Sequence, residues 1–436
     1  MRVATWKIAA FLTSTLLIAL LAARQIGESQ SENDFYQVTE WRIFYPGHFI
    51  RRGLRGSFVE WLSQLTCAPP AEIVRSICTV SYAVVTVAFT VYLFRWLWNG
   101  ARGRIPLFLL SPAGFFFYQD AILSIDRFDI FFLLLTIVHL EICLRTRGEK
   151  QYVQLSVAVF ATFGVVAVLC HEAFLLLCLP INAMLSTWRL GGWDGRQLLI
   201  FGLPLIAGSF CVFSRVTPTD IIAISRALDV PIGSFEWYNG PIFLLAISPV
   251  QQVEVVASFF SVDAVWPFLI TAILFGIIHF SGLRRVVSAS DLAEPTSGWI
   301  RPERLWRDLL WIPFFCTLPM YVVAADYGRW FAMIVATFTI CCARLLKLRA
   351  PVKRVSRGWA AVALVIFLFV PMPLSLRFPH MSPQLLSWSG AATLGHFFAP
   401  PVRRVTAEHR IGDSRGDPGA IHHRSSTPTT GASRAG

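Results

Sequence analysis

Apolar residues along this chain gather into long blocks, with few of the alternations that mark a half-buried surface. Eleven blocks stand out, at 8–23, 78–94, 105–118, 128–144, 153–170, 172–187, 197–214, 265–283, 309–325, 330–346 and 358–376. Most approach the ~20 residues that a helix needs to cross about 30 Å of hydrocarbon. A chain inside hydrocarbon must also satisfy its own backbone, which favours helices. The pattern therefore predicts an all-α fold, a polytopic transmembrane helical bundle of about eleven crossings. The blocks at 105–118 and 172–187 are short and are expected to tilt or to be partly re-entrant. A further apolar stretch, 242–260, is interrupted by Pro249, Gln251, Gln252 and Glu254, and reads as a helix lying at the interface or dipping into the bundle. Residues 49–66 place Phe49, Leu54, Phe58, Leu62 and Leu65 at helical spacing, which suits an amphipathic helix lying on the membrane.

Composition excludes a water-soluble globule. The 436 residues are 55% hydrophobic and 15% charged, against about 25% charged in ordinary soluble domains. The net charge of +12 bears on topology and does not argue for nucleic acid, because basic residues of membrane proteins collect on the cytoplasmic side. With the N-terminus inside, segments 1–7, 95–104, 145–150, 188–196, 284–307 and 344–357 are cytoplasmic, and they hold 21 of the 38 Lys and Arg residues. The chain then divides into a bundle, 1–376, and a tail, 377–436, whose Gly, Ser, Thr, Pro and Arg content reads as largely disordered. Within the bundle, 24–77 is the first exoplasmic loop and 215–263 the second large one. The nine cysteines show no CxxC pairing. Cys67 and Cys78 could bridge on an oxidising side, and the others read as small buried hydrophobes.

Polar chemistry concentrates where this topology puts the outside ends of crossings. An ionisable residue at membrane depth is costly and points to function. The first loop carries Glu28, Glu32, Asp34 and Glu40, then Trp41 to His48, then Arg51-Arg52-Gly53-Leu54-Arg55-Gly56. Spacing puts Arg51, Arg52 and Arg55 on one face of the expected surface helix, where three guanidinium groups suit an anionic phosphate or lipid head groups. Asp120 and Asp126-Arg127-Phe128-Asp129 come before the fourth crossing, with Asp126 either a helix cap or one of a carboxylate pair facing a site. His171-Glu172 sits at the tip of a predicted helical hairpin. Position 175 is Leu, so no HExxH zinc pattern is present. Asp326-Tyr327-Gly328-Arg329-Trp330 marks another turn, where Asp326 and Arg329 could pair or face the bundle axis. No internal repeat is visible, which weakens an inverted-repeat transporter reading.

A long, acidic and aromatic first outside loop with surface helices and arginines, followed by many crossings, resembles the GT-C class of membrane glycosyltransferases. The strings RRGLRG, DRFD, HE and DYGRW are also similar to a bacterial group of GT-C-like membrane proteins. The resemblance implies a multi-pass enzyme of the bacterial inner membrane working on the exoplasmic face. Its donor would be a polyprenyl-phosphate sugar and its acceptor a hydroxyl of a glycan or glycolipid. It implies Asp34 or Glu40 as the base and Arg51, Arg52, Arg55 and Arg127 as phosphate ligands. The class's paired acidic motif is absent from the loop. Independently of the resemblance, such transfer needs a carboxylate for the acceptor proton and cations for the departing phosphate. Asp126, His171, Glu172, Asp326 and Arg329 join the candidates on that ground. A divalent metal is compatible with this chemistry and not required by it. Two rivals stand beside it. One is an O-antigen-type polymerase or ligase with His171 or His48 as base, the other a transporter or lipid flippase.

Overall fold

The computed structural model describes residues 35–47, 49–98, 128–214, 216–234, 241–247, 249–258, 290–292, 304–305, 307–323 and 327–348. All lie in one compact unit, Met1–Leu385. The expected crossings at 8–23, 105–118, 265–283 and 358–376 and the tail lie outside the described residues.

The described chain is helical. In order it forms α1 (Phe35–Trp41), α2 (Gly53–Thr66), α3 (Pro70–Trp98), α4 (Asp129–Arg145), α5 (Glu149–Cys170), α6 (Phe174–Leu177), α7 (Leu179–Leu190), α8 (Gly195–Phe213), α9 (Pro218–Ala227), α10 (Pro241–Ala246) and α11 (Pro249–Ser258). A π turn, Arg307–Trp311, then leads into α12 (Ile312–Val323), and α13 (Tyr327–Leu345) follows. The all-α expectation has one exception. Ser290–Leu292 pairs antiparallel with Leu346–Leu348, setting Asp291 opposite Lys347. Among the described residues, Pro70–Tyr92, Glu149–Cys170 and Gly195–Phe213 are long and apolar enough to cross a membrane. Their outer faces agree with that. Val80, Val84, Val87 and Val91 form an exposed stripe on α3, and Leu199, Leu203, Ile206, Phe210 and Phe213 are exposed on α8. Contiguous apolar surface of this extent needs a non-aqueous neighbour.

Short, chemically explicit turns set the helix order. Gly148 precedes α5, and α7 stops on Gly191, whose φ of 79° is the left-handed stop that glycine adopts without strain. Asp194 then starts α8 with a capping box, taking the Arg196 N–H while Gln197 reaches back to the Asp194 N–H. These turns run α4, α5, α7 and α8 up and down. The start of α4 and the turn 171–173 therefore share one end, and Arg145, Glu149 and Gly191 share the other. That second end is stitched by Arg344 and Tyr92 on Glu141 (2.7 and 2.6 Å), by Arg196 on Glu149 (2.6 Å), and by Trp188 on Asp308 (2.9 Å).

Helix α5 is not regular. Phe160–Gly164 is a π turn, packed where Pro204 of α8 would leave a Cβ on Gly164 only 3.0 Å of room. Beside it lies the polar heart of the bundle. His139 Nδ1 meets Asn182 Oδ1 at 2.9 Å and its Nε2 meets the Tyr152 hydroxyl at 3.0 Å, while Asn182 Nδ2 reaches Thr136 at 3.0 Å. Each of these four side chains thus has a partner on another helix, which is how polar side chains hold apolar bundles together.

The first loop is folded on itself by close backbone approach. The expected helix over 49–66 begins only at Gly53. A Cβ on Gly56 would overlap the Ile43 carbonyl, and one on Gly53 would overlap the Tyr45 ring. Ser57 Oγ also accepts the Tyr45 N–H at 3.1 Å. The glycines of RRGLRG thus seat α2 on the chain at 43–45. On its far side Phe58, Trp61 and Leu65 are exposed at helical spacing, in keeping with a helix lying in the membrane surface. Cys67 and Cys78 form no bridge with each other: Cys67 is exposed after α2 and Cys78 is buried in α3.

Two substitutions test this seat. Gly56→Ala must push backbone against backbone and should cost about 2–3 kcal/mol, the upper part of the overpacking range. Gly202→Ala on α8 meets open space and should be neutral or stabilising by up to about 1 kcal/mol. Unfolding of the detergent-solubilised protein by denaturant reads both.

Candidate functional site

Three separate stretches of sequence bring charge to the end of the bundle that holds the turn 171–173. Glu40 lies in the last turn of α1 and is almost fully buried. Arg52 precedes α2 in a left-handed conformation, φ 67°. This corrects the expectation that Arg51, Arg52 and Arg55 share a helix face. Only Arg55 is on the helix, and across the left-handed turn at Arg52 the Arg51 guanidinium goes to the Leu244 carbonyl while Arg52 and Arg55 meet at Glu40.

Arg52 is the hub. Its Nε donates to Glu172 Oε2 at 2.9 Å and its Nη2 to Glu172 Oε1 at 2.6 Å, a two-point contact. Its Nη1 donates to Glu40 Oε1 at 3.2 Å. Arg55 Nη2 donates to the Glu40 carbonyl at 2.7 Å and lies 3.4 Å from Glu40 Oε1. The Arg55 side chain has no solvent exposure, and its Nε and Nη1 make no hydrogen bond. It is held between rings, with its charge 5.4 Å from the Trp41 centroid and 5.6 Å from that of Phe128. Arg51 donates to the Leu244 carbonyl at 2.9 Å, an acceptor it shares with Gln252 of α11.

His171 completes the cluster, with Nε2 3.6 Å from Glu40 Oε1 and Nδ1 4.0 Å from Glu172 Oε2. The Ala173 N–H donates to Nδ1 at 3.2 Å, which places the ring proton on Nε2, facing Glu40. Burial, helped by the neighbouring Arg52 charge, brings the imidazole pKa down to about 4. Burial alone would raise the Glu172 carboxyl, but the Arg52 guanidinium outweighs it and holds Glu172 well below the usual carboxylate range. At neutral pH the cluster therefore has an ionised Glu172 beside a neutral His171. The two carboxylates differ in access, with side-chain exposures of 7% for Glu40 and 25% for Glu172.

A small second core covers this end. Ile43 and Ile50 from the first loop pack with Ile221, Ile224, Leu228, Val230, Ile242 and Leu245 from the second. The two loops, read separately in sequence, form one layer beside the charged cluster.

The structure thus brings together Glu40, Arg51, Arg52, Arg55, His171 and Glu172. Asp34, Asp126, Arg127, His48 and Asp326 lie outside the described residues. Arg329 is in the first turn of α13, and its side chain is likewise outside them. Asp129, from the same charged run, is buried at the start of α4. Sequence reasoning missed the Leu244 carbonyl, the Trp41 and Phe128 rings over Arg55, and the glycine seat. The three-residue spacing of Gly53 and Gly56 was the available signal for the last. Among the described residues, no group of three His, Cys, Asp or Glu side chains is arranged to hold a metal ion. Comparison with protein-family models, with characterised proteins and with solved structures finds no match to this chain.

The charge states give a pH prediction. The unfolded chain protonates His171 near pH 6.5 and the folded chain only near 4, so across that window the unfolded state binds more protons and stability is lost as the pH is lowered. Glu172, depressed in the fold, adds a further loss below its ordinary value of 4.5. The melting temperature of the solubilised protein should drop from pH 7 to pH 4.5, and His171→Gln should flatten the upper part of that drop.

Proposed function

We propose that this chain is a membrane glycosyltransferase of the GT-C kind. It moves a sugar from a polyprenyl-phosphate donor to an acceptor hydroxyl of a glycan or glycolipid on the exoplasmic face of the bacterial inner membrane. One observation carries the reading. Two carboxylates, Glu40 and Glu172, meet on Arg52 at one end of the bundle, with Arg51 and Arg55 on either side of it in sequence, beside a helix on which Phe58, Trp61 and Leu65 are exposed. Transfer from a lipid phosphate needs this pairing. A carboxylate takes the acceptor proton, and guanidinium groups take the charge developing on the phosphate. The apolar faces of α2, α3 and α8 give a polyprenyl chain a surface to lie along. An eleven-crossing topology with a cytoplasmic N-terminus puts the cluster outside, and the basic residues of the opposite end (Arg145, Arg147, Lys150, Arg189) then lie inside.

The polymerase or ligase alternative with His171 as base has less support. Its Nδ1 already accepts the Ala173 N–H, and its Nε2 carries the proton, so the ring has no lone pair to offer.

Purified protein with radiolabelled polyprenyl-phosphate sugars tests the proposal. Transfer, with release of polyprenyl phosphate, is expected from the wild type. Glu172→Gln should lose about 10²- to 10⁴-fold in rate, the range for removing a proton-transfer group, and Arg52→Ala about 10²- to 10³-fold, the range for removing a donor to developing charge. No turnover of any donor by folded wild-type protein would reject the reading.

A further inference from the structure

Both carboxylates of the cluster contact Arg52, but they do so differently, and the difference assigns them different tasks. Glu40 touches one terminal nitrogen, Nη1, at 3.2 Å. It is enclosed, with Arg55 on its carbonyl and His171 Nε2 directed at the same Oε1. Glu172 takes the other edge, Nε and Nη2, through two parallel hydrogen bonds. That edge is the one a guanidinium offers equally to a carboxylate or a phosphate, since both present two oxygens at matching spacing. Glu172 is also the more exposed carboxylate. It sits in the turn between α5 and α6, where a side chain can swing away without unwinding a helix.

We infer that the Arg52–Glu172 contact is a latch that the donor phosphate opens, and that Glu172, once released, accepts the acceptor's proton. Resting on the glycosyl-transfer reading, the sequence is as follows. The donor phosphate takes the Nε/Nη2 edge of Arg52 in place of Glu172, while Glu40 keeps Nη1 and holds the guanidinium where it was. The acceptor oxygen then forms its bond to the anomeric carbon as its proton passes to the Glu172 carboxylate. The bond from that carbon to the phosphate oxygen breaks, and its electron pair stays on the phosphate, whose charge Arg52 stabilises. Glu40 and His171 touch no substrate in this scheme and act as positioning residues for Arg52. The arrangement also has a chemical consequence. While paired to Arg52 the Glu172 carboxylate is a weak base, and losing that cation in a half-buried place raises its proton affinity at the moment it is needed. A base that is unmasked only by donor binding protects the site from abstracting protons when no donor is present.

The latch makes a binding prediction that is the reverse of the usual effect of deleting a site residue. Full-length protein in detergent micelles is titrated with farnesyl phosphate, and separately with inorganic phosphate and farnesol, following intrinsic tryptophan fluorescence. Removing the competing carboxylate in Glu172→Gln should tighten farnesyl phosphate binding about tenfold or more, because the closed fraction no longer lowers the apparent affinity. Arg52→Lys, which loses the two-point edge, should weaken it by about tenfold or more. Glu172→Asp keeps the charge but is too short for both bonds, and should fall between wild type and Glu172→Gln. It decides the matter if the Gln variant does not fold. Tightening for inorganic phosphate as well identifies the phosphate as the group that opens the latch, whereas tightening for farnesol would assign the effect to the tail and overturn it. Equal or weaker farnesyl phosphate binding by the Glu172 variants overturns the latch while leaving the phosphate site. No binding by any form, wild type included, overturns both the latch and the donor reading.

Discussion

The guanidinium of Arg52 joins the parts of this protein that sequence keeps apart. It ties the first loop, through Glu40, to the tip of the α5–α6 hairpin, through Glu172. Taking charges from water is expensive, and such a cluster persists only where each charge finds good partners. Here geometry supplies them. The left-handed turn at Arg52 aims one side chain at two carboxylates, and the glycines beside it let α2 approach the chain closely enough for Arg55 to reach Glu40. Breaking one side of the network would leave an unpaired charge in a site with little water, which costs more than the pair contributes.

The rest of the bundle follows a division of labour. Among the described residues, Arg52 and Glu141 centre ion pairs at its two ends, while a neutral network of His139, Asn182, Tyr152 and Thr136 lies between. Hydrocarbon tolerates the second arrangement because every donor has an acceptor, and it tolerates charge only where the interface is close. The two ends differ in kind. Around Glu141, Arg344 and Tyr92 join three helices and leave Arg145 exposed. Around Arg52, the partners come from loops and a turn, and a second small core of loop residues covers them. An end tied by helices suits rigidity. An end tied by loops can admit a ligand without disturbing the bundle.

That contrast is why the proposed chemistry belongs at the Arg52 end. Arg55 is sealed beneath Trp41 and Phe128 and cannot exchange partners. In the proposed mechanism Arg52 does, because its bidentate partner is the more exposed of the two carboxylates. The arginines that look equivalent as a string thus play unequal parts. Arg51 anchors the second loop through Leu244, Arg55 supports Glu40, and Arg52 holds the edge available to an anion.

Much of the fold was legible in the sequence because hydropathy is a local property. The blocks at 153–170 and 197–214 coincide with α5 and α8 within a few residues, and the block at 172–187 falls on α6 and α7. The candidate acids and bases were legible too, since Glu40, Arg52, His171 and Glu172 stand out as charge in an apolar chain. Their roles were not. Periodicity put Arg51, Arg52 and Arg55 on one helical face, but α2 starts after Arg52, where a left-handed turn and the close approach of Gly53 and Gly56 to residues 43–45 override the helical spacing. Likewise, no local pattern connects Glu172 with a residue 120 positions earlier. Composition alone determined that this chain belongs in a membrane and which residues could carry charge there. Only the tertiary structure decided which charges meet, because pairing depends on where the turns return the chain and on how closely two backbones can approach.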